Sequence, residues 1–313
     1  MGFGGICVVV GMLLGSTACG VPDVGEPVAL SGIQPGVVTD WHRVDPCGFV
    51  DPALPGRYGA APRIEPFDFS SCEIPVAATG GGTIYLGIAT DNRLDDENEL
   101  PVLGRDFTRR GAMRVAEPRP FEDTCTSSVV FPDLRYIEAS AVPKGGAKAD
   151  SCGIAAALAD SVVATVQQGR HRFLAAPDSS WVHVDPCDLL TGEQVAVVAG
   201  TVAADVKHGA NRHNCRWGAS RPSYTGVVVN IGAATNRLTD VHDLAGRPTQ
   251  IRAEAAEAPL PPACRVNTQH IGFASDKVET IAVAVFAPKD PEWLCETARG
   301  LAEKVWAKLP RTP

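Results

Sequence analysis

Two short segments of the chain place an asparagine beside an arginine. One is Gly87-Ile88-Ala89-Thr90-Asp91-Asn92-Arg93-Leu94; the other, one residue shorter, is Gly232-Ala233-Ala234-Thr235-Asn236-Arg237-Leu238. Each is followed by a second arginine, in Leu103-Gly104-Arg105 and in Ala245-Gly246-Arg247. A guanidinium is a planar fork of donors that grips carboxylate, phosphate or sugar-acid oxygens, so Asn92, Arg93, Arg105, Asn236, Arg237 and Arg247 are the candidate binding residues. The competing reading is a strand-to-loop turn, in which Asn takes left-handed geometry and Arg pairs with a carboxylate such as Asp95 or Asp240. The turn carries the greater weight.

Catalytic signatures are absent: there is no GxSxG elbow, HExxH, P-loop or GxGxxG after a strand. Of the seven histidines, His208 and His213 lie close to Cys215, but that cysteine belongs to a larger pattern and the cluster has no counterpart elsewhere in the chain. No metal, no cofactor and no enzymatic activity are therefore expected. Gly80-Gly81-Gly82 reads as a turn, and Trp41, Trp181, Trp217 and Trp293 read as packing anchors.

The larger pattern is a duplication. Beyond Cys7 and Cys19, eight cysteines remain, and the last four (187, 215, 264, 295) follow the first four (47, 72, 125, 152) at offsets of 140, 143, 139 and 143 residues. Trp41-x-x-Val44-Asp45-Pro46-Cys47 recurs as Trp181-x-x-Val184-Asp185-Pro186-Cys187. Two homologous domains, 41–167 and 181–310, are joined by a linker at 168–180. With no CxxC spacing suited to zinc or redox chemistry, an even number of cysteines implies two disulfides per domain in an oxidising compartment. Each set of four allows three pairings. Sequential pairing (Cys47–Cys72, Cys125–Cys152, Cys187–Cys215, Cys264–Cys295) is favoured because each bridge then ties a helix to the strand beside it, and crossed pairing stays open.

The elements follow from periodicity. Asp45-Pro46 and Asp185-Pro186 suit a turn or a helix start. Farther on, Asp51-Pro52 corresponds to Thr191-Gly192-Glu193-Gln194, where Thr191 and Gln194 have capping-box spacing. Alternating or β-branched runs, such as Thr83–Leu86, Val227–Ile231 and Glu279–Phe286, predict strands. Leu158, Val162 and Val166 in one copy and Leu301, Val305 and Leu309 in the other predict a closing amphipathic helix, with Asp290-Pro291 as a start signal. The expected fold class is α+β: two tandem antiparallel sheets, each with an N-terminal helical segment and a C-terminal amphipathic helix.

Composition sets the surroundings. The 313 residues are 45% hydrophobic and 20% charged, enough to bury a core, and 25 prolines and 31 glycines imply many turns. A net charge of −8 gives nucleic acid no electrostatic footing. At the start, residues 1–22 are uncharged and the apolar run Ile6–Leu14 precedes Gly15-Ser16-Thr17-Ala18-Cys19. Residues 1–18 read as an export signal and resemble a bacterial lipobox, which makes Cys19 the lipidated first residue and 19–40 a flexible tether. Ser16 stands where a lipobox usually has Leu, and no Lys or Arg precedes the apolar run. Plain secretion and an uncleaved anchor are the alternatives.

The lipobox-like start, the Asp-Pro-Cys openings, Cys215-Arg216-Trp217 and the closing helices resemble uncharacterised actinobacterial lipoproteins whose domain opens with an Asp-Pro-Cys motif. The first copy departs from this at Cys72-Glu73-Ile74. More distantly, a two-bridge α+β domain is similar to the extracellular sensor domains of mycobacterial serine/threonine kinases, a resemblance that implies ligand sensing and transfers no motif. The expectation is an exported, membrane-anchored binding or sensing module on the outer face of the cell membrane, with an unknown envelope ligand or protein as partner. Its alternatives are an adaptor or inhibitor of a neighbouring envelope protein and a secreted enzyme with an unfamiliar site.

Overall fold

Burial alternates along Ser71–Ala78 and Thr83–Arg93 because these runs are neighbouring antiparallel strands with one face turned to a core. The computed structural model describes residues 37–311 apart from 62, 105, 199–205, 219–224, 236–237 and 258–259. In the first half, the strands are β1 (Gly59–Ala60), β2 (Ser71–Ala78), β3 (Thr83–Arg93), β4 (Phe107–Arg110), β5 (Met113–Ala116), β6 (Arg119–Phe121), β7 (Thr124–Val130) and β8 (Arg135–Lys144). They form one sheet in the order β1-β2-β3-β8-β7-β5-β4, with β6 paired to β7. The second half has β9 (Val206–His208), β10 (Asn214–Gly218), β11 (Gly226–Ala234), β12 (Val241–Leu244), β13 (Arg247–Glu254), β14 (Ala263–Ala274) and β15 (Lys277–Phe286), in the order β9-β10-β11-β15-β14-β13-β12. Setting β6 aside, the two orders correspond strand for strand, with Cys72 and Cys215 on β2 and β10 and Cys125 and Cys264 on β7 and β14.

Four α-helices accompany the sheets: α1 (Leu100–Leu103), α2 (Ser151–Gln167), α3 (Gly192–Val195) and α4 (Pro291–Trp306). The long ones, α2 and α4, close the two halves as the periodicity predicts. Asp150 caps α2 by accepting from the Gly153 amide (3.0 Å), and Asp290 caps α4 by accepting from the Trp293 amide (2.9 Å). Leu158, Val162 and Val166 lie buried in the first core and Leu301, Val305 and Leu309 in the second. The bridges are the sequential ones, Cys47–Cys72, Cys125–Cys152, Cys187–Cys215 and Cys264–Cys295, with sequence separations of 25, 27, 28 and 31. Loops of that size stabilise by about 3 kcal/mol each in the chain-entropy account.

The openings are short helical turns. Asp45 and Asp185 do cap, each accepting from the cysteine amide two residues on (2.9 Å in both), but the segment each one caps is a single 3-10 turn, Pro46–Phe49 or Pro186–Asp188. The cysteine in that turn is bonded to β2 or β10. Thr191 forms the anticipated capping box with Gln194 and starts α3, whereas Asp51 only holds the Ala53 amide (2.9 Å) in a turn. The segment expected as a linker belongs to the structure: the Asp45 amide donates to the Arg172 carbonyl (2.9 Å) and the Leu174 amide to that of Arg43 (2.7 Å), while Leu174 packs in the second core.

The halves are fastened together, and the described residues, from 37 to 311, fall in one compact unit. Phe69 of the first half is buried in the core of the second, with ring centroids 4.8 Å from Phe273 and 5.1 Å from His213. Asp68 holds it in place by accepting from the Ser70 amide (2.7 Å) and from the hydroxyls of Ser70 and Ser71. Glu65 accepts from the Ser275 amide and hydroxyl (3.2 and 2.7 Å).

Candidate functional site

The arginines singled out by sequence do not converge. Arg247 donates to the carbonyls of Leu309 (3.1 Å) and Pro310 (2.8 Å) and lies 5.6 Å from the Trp181 ring centroid, so it ties β13 to the chain after α4. Arg93 is exposed at the end of β3 and has no ion pair among the described residues. Asn92 sits just past a bulge, opposite Tyr136, with a long contact from its amide to the Ala89 carbonyl (3.5 Å). Arg105, Asn236 and Arg237 lie outside the described residues, as does Cys19.

The two Asn-Arg segments are also out of step in the sheets. Ile88 stands opposite Cys72 and Val229 opposite Cys215, so these are equivalent positions. Gly87 precedes the first by one residue, whereas Gly232 follows the second by three. The sequence match is therefore displaced from the disulfide framework by four residues as far as Thr90 and Thr235, and by three at the Asn-Arg pairs, because Asp91 has no counterpart. The even displacement keeps the glycine-to-threonine stretch on the same faces of its strands, whereas the Asn-Arg pairs do not share it.

Asp91, the residue missing from the second segment, does something else. It lies in the bulge of β3 and accepts from the Asn211 amide (3.2 Å), across the junction between the halves. Burial pushes its carboxyl above the usual carboxylate range. A side chain at Gly209 would meet the Asp91 carboxylate at 2.6 Å, so glycine is what the contact admits.

Beside this contact, His213 is buried, 2% exposed, between Phe69 and His42, and neither ring nitrogen finds a hydrogen-bond partner of good geometry. Burial, with the nearby His42 ring, lowers its pKa to about 3. Asp185 faces Arg212 (3.6 Å) and His208 (3.9 Å). Asp185, Cys187 and His208 come close enough to frame an ion, but the Cys187 sulfur is spent in the bridge to Cys215 and offers no thiolate. In the second core, the buried Glu279 accepts from the Ser180 hydroxyl and the Trp181 amide (2.9 Å), fixing the start of that repeat to β15; burial raises its pKa.

A more extended arrangement lies on the second sheet. Cys215, Trp217, Val229, Val266 and Val283 face the core and α4, so the residues between them face outward. Cross-strand register then lines up Lys207, Arg216, Val228, Ala284, Arg265 and Arg252 in one row over six strands. The adjacent row is Asn214, Asn230, Ala282, Asn267 and Gln250, ending at Val241 on the edge strand β12. One row carries four cations and the next four carboxamides, around alanines at the centre. Lys207 pairs with Asp95 of the first half (3.5 Å), Arg265 with Glu254 (3.1 Å), and the Asn214 amide donates to Asn230 (3.2 Å). Alternation in Asn214-Cys215-Arg216-Trp217, Arg265-Val266-Asn267 and Gln250-Ile251-Arg252 is the signal that announces these positions in the sequence. Their alignment into rows needs the register. Elsewhere, a groove of about 680 Å³ runs between α3 and α4, lined by Trp293, Leu301 and Val197 with Glu193 and Glu296 at its rim.

Residues 170–308 match the model of the DUF3558 family, described as a protein of unknown function. That match takes in the second repeat and the segment from Arg170 that pairs with the first. No curated protein matches the chain. Among solved structures, the di-domain ARO/CYC StfQ from the steffimycin biosynthetic pathway aligns over 85% of this chain and 91% of its own, at 10% identity and a TM-score of 0.16. At that score the alignment carries no argument about fold or activity.

Proposed function

We propose that the chain is an exported lipoprotein, acylated at Cys19 and held on the outer face of the cell membrane, whose body is a non-enzymatic binding module of the envelope. Export is supported by the pairing of all eight cysteines of the body, which suits an oxidising compartment, together with the apolar run that ends at Cys19. No helix among the described residues is long and apolar enough to cross a membrane, so in this reading the anchor is the lipid. The observation that carries the binding reading is the outward face of the second sheet, where cations and carboxamides are ranked in register on a rigid, doubly bridged scaffold.

Site-specific photo-crosslinking in a native envelope tests it. A photoreactive residue at Asn230, in the middle of the face, should give discrete adducts. The same group at Glu292, exposed on α4, should not. Adducts from Glu292 and none from Asn230 would instead favour an adaptor that docks through its helical side.

A further inference from the structure

We infer that the groove between α3 and α4 is a ligand site that takes a small amphiphile, an aliphatic tail ending in a substituted ammonium head. The site lies apart from the outward face of the sheet, and the inference does not rest on the reading of that face. Three departures from the duplicated plan meet in this groove. Counted from the bridged cysteines, α4 starts three residues earlier than α2, because Cys295 is its fifth residue whereas Cys152 is the second of α2. Trp293 is one of the three added residues. Gly300 occupies the position of Ala157, which packs against the first core. Lys304 occupies that of Ser161, whose hydroxyl accepts from the Asp51 amide (2.7 Å) and donates to the Phe49 carbonyl (2.8 Å), stitching the opening turn of the first repeat to α2. Lys304 is exposed and makes no such stitch among the described residues. In the second repeat a tie comes only from Lys308, beyond the end of α4, to the Asp188 carbonyl (3.2 Å), and between the two helices the groove stays open.

Gly300 is a residue that the fold does not require. Glycine inside a helix is less favourable than alanine, yet a methyl built on Gly300 would meet nothing within 4 Å outside its own helix. Neither a turn nor a close approach calls for it, and what the missing methyl leaves is depth in the groove. Trp293, Gly300 and Lys304 lie along one side of α4, so the groove follows the helix for about 16 Å. Its volume of about 680 Å³ is that of a small-molecule site, typically 300–1,000 Å³. Val197, 57% exposed, and the partly buried Trp293 present apolar area for a tail. Lys289 stands 5.9 Å from the Trp293 ring centroid, so the choice of head group falls to the rim. There Glu193 and Glu296 carry two negative charges with no ion pair among the described residues, against the one positive charge of Lys304. Glu296 lies one turn from Trp293 and Lys304 at the opposite end, which places the head beside Trp293. The net charge of −8 favours a cation there.

Titration calorimetry of the full chain with dodecyltrimethylammonium, kept below the concentration at which it forms micelles, tests the inference. It is run beside laurate, dodecyl maltoside and choline. The cationic amphiphile should bind at least tenfold more tightly than any of the three, more weakly as salt is raised, and should raise the melting temperature. Glu296→Lys should weaken it at least tenfold. Gly300→Ala should weaken it at least fivefold while melting at or above the temperature of the parent, a combination that a purely structural glycine does not give. Arg252→Glu, on the sheet face, should bind as the parent does. Equal binding of laurate or dodecyl maltoside would mean an apolar surface without preference for cations, and equal binding of choline a site for the head alone. A lowered melting temperature would mean capture of the unfolded chain. Any of these results, or binding indifferent to Gly300→Ala, overturns the inference. So does a dimer in sedimentation that Val197→Lys dissolves, which would give the groove to a second copy. Absence of adducts at Asn230 would leave this site standing, and absence of amphiphile binding would leave the reading of the sheet face standing.

Discussion

Arg247 reaches the Leu309 and Pro310 carbonyls beyond α4, whereas Arg93 stands exposed at the end of β3, so the two should answer truncation differently. Arg247→Ala strands the Leu309 and Pro310 carbonyls and should cost about 1–2 kcal/mol, read as a melting temperature several degrees lower. Arg93→Ala should melt within about 0.5 kcal/mol of the parent. His213 governs a different observable. Its folded pKa of about 3 lies below the ordinary histidine value of 6.5, so its contribution to stability is fully present above pH 6.5 and is lost as pH falls toward 3. Between pH 7 and pH 5 that loss is about 2 kcal/mol. The raised carboxyls of Asp91 and Glu279 act in the opposite sense, stabilising the fold as they take up protons at lower pH. Denaturant melts at the two pH values should therefore show a smaller acid loss in His213→Phe than in the parent. An equal loss would remove His213 from the account.

At the scale of elements, the legible part of the sequence is the part that rests on local spacing. The duplication, the four bridges, the capping box at Thr191 and the apolar faces of α2 and α4 all come from residues a few positions apart or from matched cysteines. Cross-strand register escapes. The Asn-Arg segments look equivalent by identity, yet the cysteines place their glycine-to-threonine stretches four residues out of step, a slide by an even number that does not turn the faces over, and the Asn-Arg pairs three. The rows of cations and amides are hidden for the same reason: their members are scattered from Lys207 to Ala284 and meet only once five pairings are set. The pairing of Arg172 and Leu174 with the first repeat is likewise invisible in sequence, since it joins backbone groups, and the side chains of Arg172 and Asp45 (3.2 Å), that lie far apart along the chain. For α4 the bridge itself can be tested. Replacing Cys264 and Cys295 together by alanine frees the N-terminal part of α4 from β14 and should cost about 3 kcal/mol, with hydrogen exchange rising first in α4.

The described residues behave as one body because the first half lends the second a core residue. Phe69→Ala opens a cavity against Phe273 and His213 and should cost about 3–5 kcal/mol. Melting of the parent should be a single transition. The variant should unfold at lower temperature, with the second half losing protection before the first; loss of protection confined to the first half would contradict the shared core. That body, with eight cysteines paired, suits an oxidising, extracytoplasmic compartment, and the proposed anchor at Cys19 remains to be measured. Intact-mass and peptide mass spectrometry of the protein extracted from membranes of a native-like host tests this most directly. The account predicts a chain that begins at an acylated Cys19 and resists thiol alkylation until it is reduced. An intact Met1, or alkylated Cys47 or Cys187 without reduction, would contradict it.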